Sequence, residues 1–106
     1  MARPTPQTPA KLLLLRYEYV ENILERRAPH REAHLAHVES WTDAGELVLA
    51  GAVGSPPSGA VFLFEADPGD IEQFVAEDPY VAAGLVTARR VEQLTAVGGR
   101  ADLGSR

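Results

Sequence analysis

Pro29-His-Arg-Glu-Ala-His-Leu-Ala-His-Val-Glu-Ser-Trp-Thr-Asp-Ala-Gly45 is the stretch around which the rest of the chain arranges itself. It reads as one amphipathic helix, with Pro29 at a first helical position, where a missing N–H costs nothing, and Gly45 just past the end. At about 100° per residue, His34 falls on the same side as Val38 and Trp41, at offsets i, i+4 and i+7. Those two apolar side chains must leave water. An imidazole sharing their face is therefore turned towards a sheet or a cleft beside it, and it is the most suggestive titratable group in the chain.

The segments on either side read as strands. Lys11 to Val20 begins as a continuous apolar run and ends in alternation, with Leu13, Leu15, Tyr17 and Tyr19 on one face and Leu12, Leu14, Arg16 and Glu18 on the other. The charges of Glu25, Arg26 and Arg27 point to a solvated connection or short helical turn before Pro29. After the helix, Glu46 to Val53 is a second strand, Gly54-Ser-Pro-Pro-Ser-Gly59 a turn, and Ala60 to Ala66 a third strand, forming an antiparallel hairpin. Asp67-Pro68-Gly69-Asp70 then gives a helix N-cap followed by proline, and Ile71, Phe74 and Val75 continue at helical spacing up to Pro79. A short turn from Asp78 to Gly84 leads into a fourth strand, Leu85 to Val97. The predicted fold is α+β: a βαββαβ order giving a four-stranded antiparallel sheet with two helices on one face.

With 106 residues there is room for one two-layer core and not for two. The domain is expected over residues 11–97. The Pro/Thr-rich lead at 1–10 is expected to be disordered, and the glycine-rich tail at 98–106 to be flexible. A formal charge of -5, with arginine clustered only in pairs such as Arg26-Arg27 and Arg89-Arg90, argues against nucleic acid, whose binding needs a concentrated basic surface. Without cysteine there is no disulfide framework, thiolate metal site or thiol nucleophile. The longest apolar run, Leu12 to Leu15, falls far short of the roughly 20 residues that span a bilayer, and the first ten residues lack the apolar centre of a signal peptide. No membrane association and a cytoplasmic location are expected.

Leucine, valine and phenylalanine occupy both faces of the first three strands, yet helices cover only one. The bare face would be a large apolar patch, and a homodimer packed through this open face of the sheet is the economical way to bury it.

Three blocks, Arg31-Glu-Ala-His34-Leu35, Asp43-Ala-Gly-Glu-Leu-Val-Leu-Ala-Gly51 and Asp78-Pro-Tyr-Val-Ala-Ala-Gly84, resemble the YciI-like (YCII-related) family in order and spacing. The resemblance runs from about Leu12 to Val97. It implies a ferredoxin-like fold of the dimeric α+β barrel group, with His34 and Asp78 as the catalytic pair. One departure is Gly51-Ala52, where many members carry Gly-Pro.

A histidine beside a carboxylate works as general acid or base, since the carboxylate fixes the tautomer and stabilises the imidazolium. If the two meet, the pair can take a proton from a phenol, enol or carbon acid, with Tyr80 lining the pocket and Arg31 binding an anionic group of the substrate. The plainer readings are a core histidine satisfied by a backbone carbonyl, and an Asp78 that only caps the turn opened by Pro79. His30, His34 and His37 share a helix face, but three consecutive turns span roughly 10 Å, too far for a compact metal site. His30 and His37 are then solvated flank residues. No Gly-x-Ser-x-Gly elbow surrounds Ser55 or Ser58, and Gly98-Gly99 opens no dinucleotide fingerprint.

Two functions are thus expected to compete. One is an enzyme without metal or cofactor, a lyase similar to the dehydrochlorinases, acting on a small cyclic or phenolic metabolite. The other is a non-catalytic module of the same fold that binds a small-molecule ligand or a partner protein. A third reading, drawn from the wider barrel group, is a haem- or oxygen-dependent monooxygenase.

Overall fold

The computed structural model describes residues 11–99; the expected lead and most of the expected tail lie outside the described residues. Four strands, β1 (Lys11–Tyr19), β2 (Leu47–Val53), β3 (Gly59–Phe64) and β4 (Val86–Thr95), form one sheet in the order β2-β3-β1-β4. Every neighbouring pair is antiparallel. Between them lie α1 (Ile23–Arg26), α2 (Arg31–Asp43), α3 (Pro68–Glu77) and α4 (Pro79–Ala82). The ferredoxin-like α+β architecture expected from the alternation of apolar runs is the one observed.

The period-two pattern of β1 explains the layering. Leu15 and Tyr17 are buried towards the helices, where they pair with Phe62 and Ala60 of β3, and Phe64 extends the same face. Ile71, Phe74 and Val75, one stripe of α3, close onto these residues, and Val38 and Trp41 of α2 pack at the margin. A second, smaller cluster joins Ile23, Tyr80 and Leu85. It fixes the short helices α1 and α4 against the end of β1, which is where the candidate site lies.

Several boundaries differ from expectation: β2 starts at Leu47, β3 runs from Gly59 to Phe64 and β4 starts at Val86. Helix α2 starts at Arg31, because Ala28–His30 is a separate 3-10 turn in which the His30 N–H donates to the Arg27 carbonyl at 2.8 Å. Pro29 sits inside that turn and not at the first position of the long helix, since a prolyl nitrogen cannot donate and its fixed φ suits the tighter winding equally well. Gly45 does close the helix, with φ of +86°, a conformation that costs a residue without a Cβ little. The connection at 21–28 contains α1, and the last strand ends at Thr95.

The face of the sheet away from the helices is mixed. Leu12, Leu14, Leu49, Val61, Leu63 and Leu94 form an apolar band, as the pairing registers require, and Arg16, Arg90 and Glu92 form a charged strip beside it. Arg16 and Arg90 lie 3.3 and 3.5 Å from Glu92. Gly59 is dictated by closeness to β1, because a Cβ there would overlap the Tyr17 carbonyl. Among the described residues no helix is long and apolar enough to cross a membrane.

Candidate active site

His34 is the buried residue of α2, only 5% exposed, while Val38 and Trp41 on the same side of the helix are partly buried against the core. Asp78 is reached from a different direction. Pro79 ends α3 by clashing with continued helix, and the residue before it is driven to extended backbone, here φ of −76° and ψ of 120°. That break points the Asp78 carboxylate back under α2, where it is fully buried.

The two side chains meet. Asp78 Oδ1 lies 2.7 Å from His34 Nδ1 and accepts the Tyr80 N–H at 3.0 Å, while Oδ2 accepts the Tyr17 hydroxyl at 2.7 Å. Capping and pairing therefore coexist. Both carboxylate oxygens are engaged, and one of them, with two lone pairs, serves both Tyr80 and His34. Burial by itself would raise the Asp78 carboxyl, but the hydrogen bond from His34, the charge of that ring, the Tyr17 hydroxyl and the Tyr80 N–H outweigh it and hold it below the usual range. Burial first, then the Asp78 charge and hydrogen bond, push the Tyr17 hydroxyl well above its ordinary value, so it remains a donor.

These assignments fix the imidazole. An ionised carboxylate only accepts, so Nδ1 carries the proton in either charge state of the ring, and in the neutral ring the lone pair is then on Nε2. Nε2 has no partner among the described residues. His34 lines a cavity of about 210 Å³ whose wall includes Tyr19, Arg27, Arg31, Val38 and Phe62. The cavity thus presents one proton acceptor above a largely apolar floor.

The other expected site residues are distributed unevenly. Arg31 stands at the cavity as expected. Tyr80 does not line it: the ring is 1% exposed and lies flat behind His34, because α4 folds its first turn into the Ile23–Leu85 cluster. Tyr17 and Arg27 were not singled out from the sequence. A buried tyrosine needs an acceptor for its hydroxyl, which is a signal that could have found Tyr17; Arg27 carried none, because its direction depends on the 3-10 turn after it.

The histidines do not converge. His37 Nε2 donates to the Phe74 carbonyl at 2.9 Å and its ring stacks on Phe74, so it is a packing residue between α2 and α3 and not a solvated flank. His30 belongs to the 3-10 turn. Among the described residues no group of three His, Asp or Glu side chains is placed to hold a metal ion.

A family model described as YCII-related domain matches residues 11–95. Among solved structures, the chain is similar to the 5-chloro-2-hydroxyhydroquinone dehydrochlorinase TftG of Burkholderia phenoliruptrix AC1100, in complex with 2,5-dihydroxybenzoquinone. The two are 26% identical, with a TM-score of 0.65, over 76% of this chain and 90% of that one. A second structure, the NE2512 protein of unknown function from Nitrosomonas europaea, is 16% identical with a TM-score of 0.49, over 90% of this chain and 96% of that one. No curated protein matches.

Proposed function

The chain belongs to the YCII-related domain family, and on that premise we propose a cofactor-independent enzyme acting by acid–base chemistry on a small cyclic or phenolic metabolite. The observation that carries this reading is the buried His34–Asp78 contact at 2.7 Å beside a cavity that His34 itself lines. In this reading His34 Nε2 takes an O–H or C–H proton from the substrate. The positive charge that develops on the ring is balanced by Asp78, held in place by Tyr17 and Tyr80. Likeness to a dehydrochlorinase favours an elimination, in which the base removes a proton and a leaving group such as chloride departs with its bonding pair. Proton and chloride leave the same molecule, so no external oxidant or reductant is consumed.

Chloride release from 5-chloro-2-hydroxyhydroquinone tests this, with the His34→Gln and Asp78→Asn variants alongside. The reading expects release above the uncatalysed rate, abolished by His34→Gln. If chlorinated and unchlorinated hydroquinones bind at the cavity but are not turned over, the chain is a ligand-binding module of the same fold. Activity unchanged in His34→Gln removes His34 as the base.

The same reading includes a homodimer through the open face of the sheet. The apolar band from Leu49 and Leu63 through Leu14 to Leu94 supports it, since Leu49 and Leu94 are 45% and 40% exposed on the single chain. Light scattering of the purified protein gives the mass directly; a monomer at all concentrations refutes the arrangement.

A further inference from the structure

Resting on the reading of this cavity as the ligand site, we infer that Arg27, Arg31 and the Tyr19 hydroxyl form an anion clamp, and that the ligand is a single-ring acid bound as its anion. The proposal follows from which arginines lack partners. On the sheet, Arg16 and Arg90 lie against Glu92, and Arg89 donates to both oxygens of Glu72 at 3.0 Å. The described arginines that have neither an ion pair nor a side-chain hydrogen bond are Arg26, Arg27 and Arg31, and two of these three line the His34 cavity. In a chain whose acidic residues outnumber its basic ones by fifteen to ten, leaving two guanidinium groups uncompensated at one cavity is a local exception.

Local structure explains why the two arginines share that cavity. Arg27 caps α1, its N–H donating to the Ile23 carbonyl at 2.8 Å, and Arg31 opens α2. Only the 3-10 turn Ala28–His30 separates them. Tyr19 lines the same cavity as Arg27, Arg31 and His34; burial first, then Tyr80 and Asp78, push its hydroxyl well above the ordinary value, although Arg27 and Arg31 pull it down. It therefore stays a donor beside the two cations.

The polar side chains lining the cavity are two obligate donors, Arg27 and Arg31, a Tyr19 hydroxyl able to donate, and His34, whose Nε2 accepts in the neutral ring. Their complement is a molecule with several acceptor oxygens and a single proton to give up. An arginine fork suits a carboxylate or enolate best, through charge-assisted and bidentate hydrogen bonds. The size agrees with one ring: a cavity of 150 Å³ accommodates benzene in another protein, and this one offers about 210 Å³. The larger hollow of about 290 Å³ at Arg16, Arg89 and Arg90 has no such excess charge: Arg16 and Arg90 share Glu92, Arg89 pairs with Glu72, and Glu18 also lines the hollow.

The test uses a matched pair of probes, 2,5-dihydroxybenzoate and hydroquinone, titrated calorimetrically into the full-length protein. The clamp requires the carboxylate to bind about tenfold more tightly or better, with the advantage shrinking as sodium chloride rises. Arg27→Gln must remove most of that preference by weakening the carboxylate more than hydroquinone; His34→Gln must keep it. Equal affinity for the two probes, binding by neither, or a preference that survives the Arg27→Gln, Arg31→Gln double variant overturns the clamp. Failure here is separable from failure of the enzyme reading. Chloride release without a carboxylate preference sinks the clamp alone, and a carboxylate preference without turnover supports the clamp and removes the catalysis.

Discussion

The imidazole of His34 lies flat on the ring of Tyr80, with centroids 3.7 Å apart and planes within 4° of parallel. Together with the Asp78 hydrogen bond at Nδ1, this stack leaves the ring no rotation that keeps both contacts. The imidazole is therefore held as a fixed plane with one nitrogen committed, which is the condition for a base whose lone pair has a set direction.

Asp78→Asn tests that commitment. The substituted amide keeps the shape and most hydrogen bonds but loses the charge that balances a protonated ring, so turnover should fall by about 10²–10⁴-fold. Nitrogen-15 NMR of the His34 ring gives a second readout: neutral His34 is expected with its proton on Nδ1 in the native protein, and with that bias lost in the variant. A ring already protonated on Nε2 in the native protein would contradict the assignment.

The same carboxylate sets an acid-side dependence of stability. Its folded-state value is lowered, through His34, Tyr17 and Tyr80 overcoming the effect of burial, so its contribution is complete above the unfolded value, about 3.9. It is lost as the pH falls from there through the folded value. Denaturant titrations should show the gap in stability between the native protein and Asp78→Asn narrowing below about pH 4; a gap independent of pH would refute the account.

Tyr17→Phe removes the donor at Asp78 Oδ2 and leaves a buried acceptor unpaired. The cost is expected at about 1–3 kcal/mol, read as a lowered midpoint in chemical denaturation, together with partial loss of turnover. A variant as stable as the native chain would mean that water replaces the hydroxyl.

Tyr80→Phe should behave in the opposite way. The Tyr80 hydroxyl is buried with no partner among the described residues, so deleting it leaves the stack intact and removes an unsatisfied polar group. The melting temperature should stay level or rise, and ligand affinity should not change. A loss of affinity would return Tyr80 to the substrate-binding role first expected of it.

Gly59→Ala addresses how β1 and β3 hold Tyr17 in place. The added Cβ meets the Tyr17 backbone carbonyl, which no side-chain rotation can relieve. Destabilisation of about 1–3 kcal/mol is expected, with weakened turnover because the strand bearing Tyr17 must shift. Unaltered thermal unfolding would show that the two strands can part at little cost.

Much of this molecule was legible in one dimension. Alternation in β1 and β3, the proline and glycine punctuation, and the proline after Asp78 fix the elements and their order, because each is a local steric or solvation preference carried by neighbouring residues. The spacing of His34, Val38 and Trp41 likewise marked the inward face of α2. Periodicity and spacing could not supply contacts between segments 44 or 61 positions apart, as His34 and Tyr17 make with Asp78; the family resemblance alone pointed to the His34–Asp78 pair, and nothing pointed to Tyr17. That one carboxylate caps a turn, orients an imidazole and accepts a tyrosine hydroxyl, that Tyr80 lies behind the site and not in it, and that Arg27 shares a cavity with Arg31 were decided only in three dimensions. Hydrogen bonds and ring stacking act over a few ångströms, and only packing the helices onto the sheet sets which groups come that close.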